Sequence, residues 1–237
     1  TFSSIFSQTV VNTEKLSPDK DYKLFLYIEP MLDVQSGNTD VFELVVMGNA
    51  LWKINDKNRL KLLGGIDYLS EDNSSLINDQ FAQLRFTHLF GKRWLSYNFC
   101  QLQRSNNLFL TERTIIGSGM RFKTIIDDSS RLRFDIGIGI MNEREELDPA
   151  MVTEDGSYEN ILSTDVFRMA NMLIFKYKIS DKVTLHNTTY FQPMLSRFED
   201  YRLLNETDII ISLNEWLELE FDYVIRHDTY SWRGNTA

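Results

Sequence analysis

The chain opens no long apolar run; its hydrophobic residues come every second position. "RLRFDIGIGIM" (131–141) puts Leu132, Phe134, Ile136, Ile138 and Ile140 on one side and Arg131, Arg133, Asp135, Gly137 and Gly139 on the other. A period of two is that of a β-strand whose faces meet different surroundings. The same alternation predicts strands near 22–34, 41–54, 59–70, 79–90, 93–104, 108–124, 131–143, 165–179, 183–193, 201–213 and 216–227. These are about eleven strands, and many run well past the five or six residues usual in soluble sheets, toward the nine to eleven that cross a bilayer at a tilt.

The connections fall into two alternating kinds. "NDKN" (55–58), "GK" (91–92), "DDSS" (127–130), "SDK" (180–182) and "NE" (214–215) are tight polar turns. Between them lie "SGNT" (36–39), "SEDNSSLIND" (70–79), "QRSNN" (103–107), "FED" (198–200) and the long segment 143–165. Short turns at one rim and longer loops at the other are the asymmetry of an outer-membrane barrel. Trp52, Trp94 and Trp216 all adjoin tight turns, and Phe90, Phe122 and Tyr177 end strands at the same rim. Aromatic rings gather at headgroup depth, so these read as an aromatic girdle.

Charge decides which face is inside. Arg113, Arg121 and Lys123 share a strand face, as do Arg131, Arg133 and Asp135. Later strands bring Arg168, Lys176 and Lys178, then Arg202, Glu206 and Asp208, then Glu218, Glu220, Asp222 and Arg226. An Arg or Lys facing lipid near the midplane costs about 2–4 kcal/mol, so these side chains are expected to face a lumen. Arg113, Arg121, Arg133, Asp135, Arg168, Asp208, Glu220 and Asp222 are expected to form a charge network there, occluding most of it. A soluble two-sheet sandwich is the competing reading; it predicts shorter strands and no girdle. The expected fold is therefore an all-β, antiparallel transmembrane β-barrel over residues 22–237, preceded by a periplasmic segment at 1–21. Eleven is an odd number, and "HDTYSWRGNTA" (227–237) reads as a loop, so the expectation is that a twelfth, closing strand follows residue 237 or that another chain covers the edge.

Composition narrows the rest. Mean hydropathy is −0.28 and no segment is apolar enough for a membrane helix, but barrels escape such measures because half of each strand is polar. A net charge of −9 and pI near 4.9 argue against a nucleic-acid partner. Cys100 stands alone, without disulfide or metal-site spacing. Thr1 in place of a start methionine fits a removed signal peptide or a trimmed chain.

"SGNTD" (36–40), "LTERTIIGSGMRF" (110–122), "RLRFDIGIGIMNERE" (131–145), "TTYFQP" (188–193) and "DYRLLNE" (200–206) together resemble the YdiY-like salt-induced outer-membrane proteins, from about residue 22 onward. The resemblance implies a Gram-negative outer-membrane barrel and brings no catalytic residues, a family largely of unknown function. His88, His186 and His227 lie on three separate strands; His186-Asn187 and "RHD" (226–228) are faint echoes of outer-membrane hydrolase sites. Glu143, Glu145, Glu146 and Asp148 are acidic enough to attract a divalent cation, but Arg144 interrupts them and a solvated loop is the expectation. Neither enzyme activity, cofactor nor metal is expected. The function expected is that of a structural or accessory subunit of an outer-membrane assembly, touching outer-membrane lipid and other subunits. A narrow passive channel is the alternative, and an outer-membrane hydrolase a more distant one.

Overall fold

The computed structural model describes residues 22–72, 74–124, 131–148, 163–214 and 216–229. These form one antiparallel sheet of twelve segments: β1 (Leu24–Gln35), β2 (Val41–Lys53), β3 (Asn58–Glu71), β4 (Ser74–Leu89), β5 (Trp94–Ser105), β6 (Leu110–Lys123), β7 (Leu132–Leu147), β8 (Ser163–Met169), β9 (Asn171–Lys178), β10 (Val183–Met194), β11 (Arg197–Ser212) and β12 (Glu218–Asp228). Apart from β8 and β9, each pairs with its neighbour in sequence, the order of an up-and-down barrel. β8 and β9 are two halves of one span. Both pair with β7 and β10, and the break at Ala170 leaves its N–H bonded to Gly139 O at 2.8 Å. Twelve segments thus occupy the eleven expected positions.

The alternation sets the two faces. On β7, Leu132, Ile136, Ile138 and Ile140 are exposed while Asp135, Met141, Glu143 and Glu145 are buried. Even-numbered residues of β1 to β7 stand outward, except Leu110 at the bulge that opens β6, and the parity continues around the sheet with odd numbers outward from β8 to β12. Among the described strand residues, the outward Lys, Arg, Asp and Glu side chains stand only toward the loop rim: Arg104, Glu112, Arg144, Glu146, Asp165 and Glu199. From Leu132 to Ile140 the outward face of β7 is apolar for about 26 Å along the strand at roughly 3.3 Å per residue. That is close to the apolar band of about 25 Å on outer-membrane barrels.

The sheet curls so that distant strands meet inside. Tyr97 Oη on β5 donates to Ala170 O at 3.2 Å, and Arg202 on β11 reaches Glu145 on β7 at 2.9 Å. Ile115, Met141 and Ala170 form one inner cluster, and Met172, Ile174, Tyr190 and Leu204 another. Glycine makes this packing possible. Phe99 lies opposite Gly117 and Tyr97 opposite Gly119, and a Cβ at either glycine would come within 2.5 Å of the ring. Gly117 and Gly119 make room for these two rings, aromatic side chains covering bare backbone.

Two loops differ from the expectation. The segment 70–79 is a tight hairpin: β4 begins at Ser74, and Asp72 adopts a φ of 46° while its carboxylate accepts from Asp40 N at 2.9 Å. β11 begins at Arg197, so "FED" (198–200) is strand and the turn is Leu195–Ser196. Contrast in loop length therefore rests on the segment after Leu147, of which 149–162 lie outside the described residues. The expected segment 1–21, the turn at 127–130 and any strand after residue 229 lie outside them as well.

Candidate functional site: the lumen

The lumen is filled in three layers. Nearest the loop rim is an ion-pair network, and its centre is Glu143 and Glu145. Glu143 receives Arg168 Nε at 3.0 Å and is gripped by Arg202 Nη1; Arg113 Nε lies 4.0 Å away. Glu145 accepts from Arg113 Nε at 2.6 Å and Arg202 Nη2 at 2.9 Å. Arg168 also reaches Asp200 at 2.9 Å, and Arg202 Nε reaches Asp228 at 3.0 Å. Five strand positions (β6, β7, β8, β11 and β12) are tied together by these contacts, with Glu143 and its three arginines almost wholly buried. Such a network holds only because each charge has a partner; one left alone would be strongly destabilising.

This layer corrects the sequence reading. Glu143 and Glu145 are not on a solvated loop, because β7 runs on to Leu147. The outward residues at that height, Asn142, Arg144 and Glu146, are polar, so the hydrophobic alternation stops while the strand continues. Asn142 Nδ2 donates to Asp165 at 2.6 Å, and Arg144 pairs with Glu146 at 2.9 Å, forming a polar collar above the apolar band. With arginines filling their oxygens, Glu143 and Glu145 are committed to ion pairs.

The middle layer is nearly neutral. Gln83, Arg85, Tyr97, Phe99, Gln101, Ile115, Met141, Met172 and Tyr190 converge on a residual space of about 40 Å³, room for a few water molecules. Gln83 Nε2 donates to Gln101 at 2.8 Å, and the Arg85 guanidinium sits 5.6 Å from the Tyr97 ring centre and 5.7 Å from that of Phe99. Cations over ring faces at this distance are held by the ring quadrupole.

The third layer lies toward the turn rim. Asp135, fully buried, takes Arg121 Nη2 at 2.8 Å and Arg133 Nη2 at 2.7 Å on the same oxygen. Asp208, Glu220 and Asp222 stand together on the far wall, their carboxylate oxygens within 4.8 Å of one another, and His186 Nδ1 is 3.5 Å from Asp208. Of the eight expected network residues, then, Arg113 and Arg168 lie in the first layer, and Arg121, Arg133 and Asp135 form a separate cluster. Asp208, Glu220 and Asp222 make a third. Sequence reading missed Glu143, Glu145, Asp200 and Asp228 as partners.

Trp52 and Trp94 point outward at the turn rim and are half exposed, with Trp94 and Phe122 packed at 4.6 Å between ring centres; Trp216 lies in the turn before β12 and is largely exposed. The pleat separates the hydrolase-like fragments: His186 faces the lumen while Asn187 faces outward, and His227 points outward between the inward Arg226 and Asp228. His88 Nδ1 lies 2.6 Å from Asn58 Oδ1, also on the outward side.

The outward face also carries polar groups within the apolar band: Ser118 Oγ donates to Asn98 Oδ1 at 2.8 Å, and a larger cluster lies on β10 and β11. Asn187 Nδ2 donates to Thr207 at 2.7 Å, Thr207 to Asn205 at 3.2 Å, Asn205 Nδ2 to Thr189 at 2.7 Å, and Thr189 to Asn187 at 3.1 Å. The four close a ring between β10 and β11, halfway along the strands. Leu173, Phe175, Tyr223 and Ile225 flank it on the neighbouring strands.

No curated protein matches the chain. Among solved structures, the translocator domain of the autotransporter NalP from Neisseria meningitidis is similar at 10% identity and a TM-score of 0.35, over 86% of this chain and 81% of that one. The family described as "Protein of unknown function, DUF481" matches residues 31–235, nearly the whole barrel sheet, and the chain belongs to that family.

Proposed function

We propose that this protein is an integral barrel of the bacterial outer membrane, allied to the YdiY-like salt-induced proteins, that serves as a structural or accessory subunit of an outer-membrane assembly. The band of outward apolar residues, bounded by tryptophans at one rim and a charged collar at the other, supports the membrane location. The side chains that fill the middle layer support a role other than bulk permeation.

The subunit reading is carried by the Asn187–Thr207–Asn205–Thr189 ring. Hydrogen bonds inside the ring satisfy four groups, yet each amide keeps a second N–H outside it. Facing lipid alone, those groups are a liability. Against another membrane-spanning element they become contacts of about 1 kcal/mol each. A photo-crosslinking residue at Tyr223, beside the ring, is expected to capture protein in native membranes, while one at Ile138, on the opposite wall, captures lipid. Lipid adducts alone at both positions would reject the subunit reading. Planar-bilayer recording of purified protein tests the alternative: no conductance steps are expected, and steady steps would favour a narrow channel. We propose no hydrolytic activity.

A further inference from the structure

We propose that the lumen wall formed by β3 and β4 binds a hard divalent cation near the loop rim, with Asp67 and Asp79 as its protein ligands. Asp67 on β3 stands directly opposite Asp79 on β4, both on the inward face, and they are 4% and 0% exposed. Side chains so paired have Cβ atoms about 4.5–5.5 Å apart, where like charges are destabilising. On each carboxylate one oxygen, Oδ1, is buried and takes no hydrogen bond. Buried polar atoms are nearly always satisfied, so two orphaned oxygens on facing side chains point to one partner shared between them. Asp79 is held in place from its other side. Asn107 Nδ2 donates to Asp79 Oδ2 at 3.4 Å, and the Ser105 hydroxyl and the N–H groups of Asn106 and Asn107 also donate to the carboxylate.

The surroundings add negative charge. Glu43 on β2 lies within electrostatic reach of Asp67, and Asp33 on β1 stands directly opposite Glu43. Among the described residues, no Lys or Arg occupies an inward position on β1 to β5 between the Gln83–Gln101 pair and the loop rim. The arginines of the loop-rim network bind carboxylates on β7, β11 and β12, across the lumen from this wall. A single shared proton would neutralise one aspartate of the pair and leave Glu43 charged beside it; a divalent cation offsets both aspartates. Donors that are all oxygen suit calcium or magnesium and not the softer transition metals. Calcium tolerates irregular coordination, whereas magnesium demands a near-ideal octahedron, so two carboxylates fixed by a strand register favour calcium, with water completing its shell. Asn78 and Gln80, the outward residues on either side of Asp79, are polar, and Gln80 Nε2 donates to Asn78 at 2.9 Å. The pair therefore stands at the height of the polar collar, within reach of cations in solution.

The test is thermal unfolding of the purified, detergent-solubilised protein near neutral pH, first stripped with a chelator and then titrated with calcium chloride at constant ionic strength. Calcium is expected to raise the unfolding midpoint and to saturate, and magnesium to reach half-saturation only at about tenfold higher concentration. Asp67→Asn is expected to raise the midpoint of the calcium-free protein, because it relieves the facing charges, and to cut the calcium-induced shift by at least half. Glu43→Gln is expected to weaken half-saturation severalfold with little change in the calcium-free midpoint. Glu220→Gln, in the acidic group on the far wall toward the turn rim, is expected to leave the calcium response intact. A calcium shift no larger than that of matched sodium overturns the proposal. So does a shift that Glu220→Gln abolishes and Asp67→Asn spares, since the ion would then sit on the far wall. An Asp67→Asn protein less stable than its parent without calcium also overturns it, because the facing carboxylates would then be neutralised within the fold. Stabilisation by mild acid with no response to calcium would assign a shared proton in place of the cation.

Discussion

At the scale of single residues, the same charge has two very different values depending on which end of a strand carries it. Arg202 is buried and binds Glu143, Glu145 and Asp228. Replacing it with Met leaves carboxylates without their shared cation, and an expected loss of about 3–5 kcal/mol follows from removing one partner of a buried network. Arg144, four residues beyond the band on the outward side, pairs with exposed Glu146, and Arg144→Ala is expected to change stability by less than about 1 kcal/mol. Denaturant unfolding in detergent compares the two; equal losses would mean the network is not what holds the loop rim together. A second residue-scale prediction concerns the glycines. Gly119→Ala drives a Cβ to 2.5 Å from Tyr97, and overpacking of this kind costs about 1–3 kcal/mol. Combining it with Tyr97→Leu is expected to cost less than the sum of the two single changes. Additive losses would show that the ring does not rest on that glycine.

At the scale of elements, β7 shows what sequence pattern can and cannot convey. Its lower nine residues alternate cleanly, and the strand was legible there. Its upper seven do not, because once a strand rises above the apolar band its outward face turns polar as well. Periodicity in hydrophobicity then disappears although the hydrogen-bond ladder to β6 and β8 goes on. The loop-rim end of β11 was hidden in the same way: "FED" has no alternation because Asp200 is held inward by Arg168 and Arg197 while Glu199 stands outside. A substitution on β7 separates a membrane barrel from a soluble sheet. Ile138→Arg places a cation in the middle of the outward band and is expected to cost about 2–4 kcal/mol in bilayers, with little loss in a protein that faces water. Folding titrations into lipid vesicles read the difference, and an unchanged free energy would argue for the soluble sheet.

At the scale of the whole molecule, the eleven strand positions among the described residues form an odd number, so β1 and β12 run in the same direction. Among the described residues the two are not paired with each other, and the edge strands are exposed along most of their length. In lipid, unpaired edges leave backbone groups without partners. One more strand, running from loop rim to turn rim, would be antiparallel to both. The expected outcome, in membrane-inserted protein, is that amides of β1 and β12 exchange as slowly as those of β6. Fast exchange along both edges would mean that no strand covers them.

Sequence by itself determined the all-β class, the strand positions within a few residues and the inward and outward faces. These follow from a two-residue period and from the preference of buried charges for partners, both of which are legible strand by strand. Tertiary structure alone decided which charges meet. Arg202 and Glu143 are 59 residues apart, and only the curl of the sheet and the relative stagger of β7 and β11 bring them together. The same holds for Lys61 and Arg85: each is an ordinary inward cation in its own strand, and register across the pair is what sets like against like. The ring on β10 and β11 needed register too, since four scattered Asn and Thr become a closed circuit only when one hairpin places them side by side.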